Sequence, residues 1–179
     1  VLGDSDAPWQ AKSLAYQLAC HGKVSDCAAP AFAIYQEVTR QEWERVAALN
    51  ILQVVGTSTH QAQVLADLEA GSISGNQLIA HALPCIAWPE LTSSRLSAIF
   101  GRTQSENKFG SGPMAGVVKD TLIPLADLAS ATVLLTAVLQ HLPRPTAGRR
   151  FSRFPDENQP EHAWLLDVLP DCFERLLVL

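Results

Sequence analysis

The stretch Glu42–Gly56, EWERVAALNILQVVG, decides how the rest of the chain is read. Trp43, Val46, Ala47, Leu49, Ile51, Leu52 and Val54 recur at helical spacing but spread most of the way round a helix. A helix apolar on several sides has to be covered on several sides. The same stretch also rhymes with PWQAKSLAYQLACHG, Pro8–Gly22, thirty-four residues earlier. Trp9 aligns with Trp43, Leu18 with Leu52 and Gly22 with Gly56.

A further shift of thirty-four reaches QLIAHALPCIA, where Ala48 falls on Ala82, Leu49 on Leu83 and Leu52 on Ile86. The second halves align as well: Phe32, Ala66 and Phe100 share one position, and Ala28, Ala62 and Leu96 another. Self-similarity at such a period marks stacked repeats. Each unit reads as two helices. Thr39-x-x-Glu42, Ser58-x-x-Gln61 and Ser74-x-x-Gln77 have the form of capping boxes, and Gly56 and Gly71 stand where left-handed helix stops are expected. In the second helix of that unit, Gln61, Val64, Leu65 and Leu68 make one stripe, with His60, Gln63 and Asp67 on another side. The first helix, apolar nearly all round, needs its pair partner and the flanking units to cover it, so stacking is obligatory.

The units run over about 4–38, 39–72, 73–102 and 113–142, with 101–113 as a polar inserted loop. A connecting segment, 143–160, is too rich in proline and charge for a helix, and a final helix or helix pair, 161–179, is bent or restarted at Pro170. The expectation is one all-α domain over 1–179: a right-handed stack of antiparallel helix pairs, an α-solenoid of about four to five pairs.

The run Arg45, Val46, Ala47, Ala48, Leu52, Gly56 resembles the concave-side helix of HEAT-type repeats, especially the short bacterial kind. The likeness covers about residues 4–102, with KSLAYQLACHG matching less well and the third unit lacking the glycine. More loosely, the chain is similar to the helical regions that follow the nucleotide-binding module of large bacterial STAND or NACHT signalling ATPases, although no Walker-type GxxxxGK[ST] occurs in it. The first resemblance implies a protein-binding or scaffold module, and the second implies a sensor region.

Composition narrows the classes. A net charge of -5 and an apolar fraction of 47% argue against a general nucleic-acid or anionic-membrane binder. Four cysteines without a CxxC pair form neither a disulfide framework nor a zinc signature, which favours a reducing, cytoplasmic setting. The stretch Leu122–Gln140 is interrupted by Pro124 and Asp127 and falls short of the roughly 20 apolar residues of a membrane helix. Beginning at Val1 and ending at LLVL179, the chain reads as a piece of a longer protein, with other domains of that protein as expected partners.

Chemistry is sparse. His81 and Cys85, at i and i+4, could hold a metal or activate a thiol; the plainer account is two packed core residues. His60, His141 and His162 have no partner at metal-ligand spacing, Glu42 and Glu44 read as favourable charge at a helix start, and Asp67 as solvated surface. Asp127 reads as a helix cap. FGSGPMAG, Phe109–Gly116, lacks the strand and lysine of a phosphate loop. The function-like feature is AGRRFSRF: Arg149, Arg150 and Arg153 could contact a partner or a phosphate, or strap the segment to the array's carboxylates. Trp9 and Trp43 read as packing residues. No catalytic, cofactor or metal residue is assigned and no cofactor is expected. The leading expectation is a non-catalytic scaffold that binds a protein partner. The signalling-ATPase sensor stands second, and an enzyme with a site assembled between repeats third.

Overall fold

The helices begin and end for reasons that differ in detail from those the sequence suggests. In the computed structural model, which describes residues 2–4, 6–103, 112–142, 162 and 164–179, they are α1 (Trp9–His21), α2 (Ala28–Gln36), α3 (Glu42–Val55), α4 (Ser58–Ala70), α5 (Asn76–Ala82), α6 (Ser93–Phe100), α7 (Pro113–Val117), α8 (Ile123–Leu125), α9 (Leu128–His141) and α10 (Trp164–Val178). Every regular element among the described residues is helical. Thr57, not Ser58, caps α4: the His60 N–H donates to Thr57 Oγ1, and the Thr57 N–H donates to His60 Nδ1 at 3.2 Å. Histidine here plays the part a glutamate plays in the usual capping box. Thr39 caps no helix; Gln41 precedes α3 without a side-chain bond to the helix's backbone amides, and Thr39 Oγ1 donates to Glu37. Ser74 lies short of α5, which starts at Asn76.

The glycine stops also divide. Gly71 takes φ 72°, and the N–H of Ser72 reaches back to the Asp67 carbonyl in a Schellman closure. Gly56 instead is extended, with φ −64° and ψ 144°. What it supplies is room, because a β-carbon there would run into the Leu52 carbonyl oxygen. Gly22 does the same one repeat earlier, its β-carbon position lying 2.7 Å from the Leu18 carbonyl oxygen. The left-handed residue at the end of α1 is Lys23, φ 49°; Val24 N–H bonds Ala19 and Lys23 N–H bonds Cys20 around it.

The chain divides into two compact units, residues 1–73 with 81–87, and residues 74–80 with 88–179. In the first, α3 is the centre, approached by α1, by α2 and by the 3-10 turn Leu83–Cys85. The sequence pairs α2 with α1; its closest neighbour is instead α3. Small residues explain the approach, since α2 buries Ala28 and Ala31 along with Ile34 and Tyr35.

Burial tests the thirty-four-residue register position by position. Glu44, Ala48, Leu49, Ile51 and Leu52 are buried in α3, and their counterparts Leu78, Ala82, Leu83, Cys85 and Ile86 are buried as well. Among second helices, Ala31, Leu65 and Ile99 share a buried position. The alignments of Phe32 with Ala66 and Phe100, and of Ala28 with Ala62 and Leu96, do not carry over into shared burial: Ala62 and Ala66 are exposed while Ala28, Leu96 and Phe100 are buried. The first helix departs too. It buries Lys12, Tyr16 and Ala19 and leaves Leu18 62% exposed, whereas the aligned Leu52 is 1% exposed.

In the second unit α9 packs on α6 and α10, and α10 also meets α7 and α8. Phe100 and Trp164 meet edge to face at 5.4 Å. A π-helical turn, Val118–Leu122, joins α7 to α8. Pro124 accounts for it: with no N–H and a ring that crowds the carbonyl four residues back, it forces the ladder to shift. Asp127 then caps α9, its carboxylate accepting from Ser130 N–H at 2.8 Å, which with the neighbouring amides holds its pKa below the usual aspartate value. Arg175 donates through Nε and Nη2 to the Ala126 carbonyl, at 3.0 and 2.8 Å, satisfying the end of α8. The last helix runs through Pro170 without restarting. No described helix is long and apolar enough to cross a membrane.

Candidate binding surface

Between α1 and α3 lies a cleft of about 250 Å3 lined by Ser13, Tyr16, Gln17, Cys20, His21, Trp43, Ala47 and Asn50. Helices α1 and α3, whose sequences align at a shift of thirty-four residues, form its walls. Three contacts set their spacing. Lys12 Nζ lies 3.0 Å from Glu44 Oε1, the Tyr16 and Trp43 rings meet edge to face at 6.0 Å, and the Cys20 thiol donates to the Asn50 carbonyl at 3.6 Å.

The same two helices also carry a buried ion pair. Lys12 and Glu44 are both buried, and Arg40 Nη1 adds a second cation 3.7 Å from Glu44 Oε1, while its Nε pairs with Glu37 Oε2 at 2.8 Å. Glu44 stands in the first turn of α3, as its position suggests, and is in addition buried in an ion pair. Removing one partner from such a buried pair costs about 3–5 kcal/mol, because the other charge is left stranded, although the intact pair adds little net stability. Its consequence is register: α1 sits against α3 where lysine meets glutamate. The Tyr16 hydroxyl, buried beside them without a hydrogen-bond partner, has its pKa pushed up to about 12 by burial first and by the Glu44 charge second.

The mouth is amphipathic. Trp43 holds its indole N–H to Gln41 Oε1 at 2.6 Å and keeps its ring partly open. Asn50, which lines the cleft, accepts through Oδ1 from His81 Nδ1 at 2.9 Å, which sets the histidine tautomer. Trp9, at 66% exposed, is not the packing residue that its alignment with Trp43 suggests. Aromatic rings with adjacent amide and hydroxyl groups suit recognition of a polypeptide side chain.

The second row of contacts runs between α2 and α4. Tyr35 donates its hydroxyl to Asp67 Oδ2 at 2.7 Å, Gln63 bonds Asp67 Oδ1 at 2.9 Å, and Phe32 stacks on His60 at 4.8 Å. Asp67, which reads as solvated surface, is a structural acceptor between helices. His60, which lacks a metal-ligand partner in sequence, is a cap and a stacking ring.

His81 and Cys85 do not make a reactive pair. The Cys85 thiol is buried and donates to the Leu49 and His81 carbonyls at 3.3 and 3.5 Å. Burial pushes its pKa up to about 12, so it stays a thiol, while burial lowers that of His81. In the second unit, folding brings together two histidines the sequence keeps apart: His141 and His162 rings lie 5.3 Å apart, with Ser97 Oγ 2.8 Å from His141 Nε2 and Thr103 Oγ1 3.4 Å from His162 Nδ1. Gly101 makes room, since a β-carbon there would lie 3.2 Å from the His141 ring. Among the described residues no group of three or more His, Cys, Asp and Glu side chains is placed to hold a metal ion. Arg149, Arg150 and Arg153 lie outside the described residues.

Lys12 and Glu44 are the residues that sequence reasoning missed. The available signal was opposite charge at a separation close to the repeat period, on helices already aligned. No protein-family model matches the chain, and comparison with curated proteins and with solved structures finds no similar one.

Proposed function

We propose that the chain is a non-catalytic protein-binding or scaffold module built of stacked, HEAT-like helix pairs, and that the cleft between α1 and α3 receives a side chain of its protein partner. The supporting observation is the cleft itself: two repeat-equivalent helices, held in register by a buried ion pair, present Trp43, Gln17 and Asn50 together over the buried Tyr16 ring. Contacts between successive repeats fall near the repeat spacing, as in Lys12–Glu44, Tyr35–Asp67 and Asn50–His81, which is how stacked pairs meet. The cytoplasmic setting is part of the same proposal and rests on cysteine usage alone.

The test is affinity capture with the full chain as bait, run beside a Gln17→Arg, Asn50→Arg double variant that fills the cleft mouth. A protein retained by the parent chain and released by a variant of unchanged helicity supports the assignment. Equal retention by both places the binding surface elsewhere.

A further inference from the structure

Helix α1 has two apolar faces and uses one. Tyr16 and Ala19 are buried with Lys12. On the other side Ala11, Leu14, Ala15 and Leu18 recur at i, i+3, i+4 and i+7, and Leu14 and Leu18 are 57% and 62% exposed. This face is distinct from the cleft, which α1 lines with Ser13, Tyr16, Gln17, Cys20 and His21.

The chain's own repeat says what belongs there. Shifted by thirty-four residues, the four become Arg45, Ala48, Leu49 and Leu52 of α3, and the last three are fully buried. Of the helices packed on α3, α2 meets it most closely, and the first of the four residues reaches it. Arg45 Nε donates to the Tyr35 carbonyl at the end of α2, at 2.9 Å, and the guanidinium sits 5.9 Å from the Tyr35 ring centroid. The closing geometry repeats too, since Gly22 and Gly56 both leave space against the carbonyl four residues back, of Leu18 and of Leu52.

We infer that the outer face of α1 seats a further helix of the α2 kind, rich in alanine with an aliphatic or aromatic residue each turn, supplied in cis by polypeptide preceding α1 in the parent protein. The source follows from area. A stripe along α1 measures roughly 20 by 10 Å, well below the roughly 800 Å2 per partner of a stable intermolecular interface. Such a patch holds an occupant only when covalent linkage makes the association intramolecular. The inference rests on the stacked-repeat reading above and not on the cleft.

The test grafts residues 25–41, which carry α2 and its link to α3, in place of residues 1–7, so that the copy meets α1 as α2 meets α3. The graft gives up the Arg40 Nη2 contact to the Gly3 carbonyl, and its gain is measured net of that loss. The thermal midpoint is expected to rise on the order of 5 °C. Leu18→Glu should lower the midpoint of the graft by a comparable amount more than it lowers that of the parent chain. No rise, or a Leu18→Glu shift equal in the two backgrounds, overturns the inference. So does concentration-dependent dimerisation of the parent chain that Leu18→Glu abolishes, because a second copy then occupies the face. A failed graft leaves the capture experiment on Gln17 and Asn50 unaffected, so the two readings fail separately.

Discussion

Replacing Leu52 by alanine and, separately, Leu18 by alanine perturbs two leucines that align at a shift of thirty-four residues but lie in different surroundings. Leu52 is 1% exposed and Leu18 62% exposed. Truncating leucine to alanine removes three carbons, worth about 0.8 kcal/mol each when buried, or about 2.4 kcal/mol in transfer alone. At Leu52 a cavity term adds to this, for a total of about 3–4 kcal/mol. At Leu18 little more than a third of the side chain is covered and solvent fills the gap, which leaves about 1 kcal/mol or less. The assay is urea unfolding followed by far-UV circular dichroism, with the slope m compared to verify that the unfolded state is unchanged. Losses equal within error would refute the reasoning, since they would mean that α1 and α3 bury the same face.

Three further outcomes are expected. Lys23→Gly should stabilise the chain by about 1 kcal/mol in the same unfolding assay, because a lysine at φ 49° ends α1 where glycine carries no such cost. Asp67→Ala should cost about 1–3 kcal/mol by leaving the Tyr35 hydroxyl without its acceptor, and Tyr35→Phe, Asp67→Ala together should cost less than the sum of the two singles in a double-mutant cycle. Stability should fall above about pH 9 in denaturant midpoints: the buried thiols of Cys85 and Cys172 are raised from 9.0 to about 12 and about 11, and Tyr16 from 10.0 to about 12, so their contribution is complete below the unfolded values and is lost as pH rises through the folded ones. A midpoint flat to pH 11 would contradict that burial.

The all-helical class was legible because periodicity is a property of backbone geometry, and Glu42–Val55 carries it on nearly every side. The thirty-four-residue register was legible where both copies face a core, as Leu49 and Leu83 do, and misleading where they do not, as at Leu18. Apolar character records what a residue can be buried against, not whether a neighbour is present. Asp127 reads as a cap and is one, whereas the cap of α4 falls one residue before the one the sequence suggests, because Thr57 and Ser58 have the same chemistry and only the chain's path selects between them. The buried ion pair between α1 and α3 was invisible for a different reason. Lysine and glutamate are solvated in most settings, and only the meeting of Lys12 with Glu44 across two helices removes them from water.

An aromatic NOESY spectrum tests the stacking of successive repeats most directly. Tyr16 with Trp43 joins α1 to α3, and Phe32 with His60 joins α2 to α4, at 6.0 and 4.8 Å between ring centroids. Cross-peaks for both pairs are predicted, in a chain whose other signals are helical. Absence of both in the folded chain would contradict the stack and with it the surface proposed for a partner.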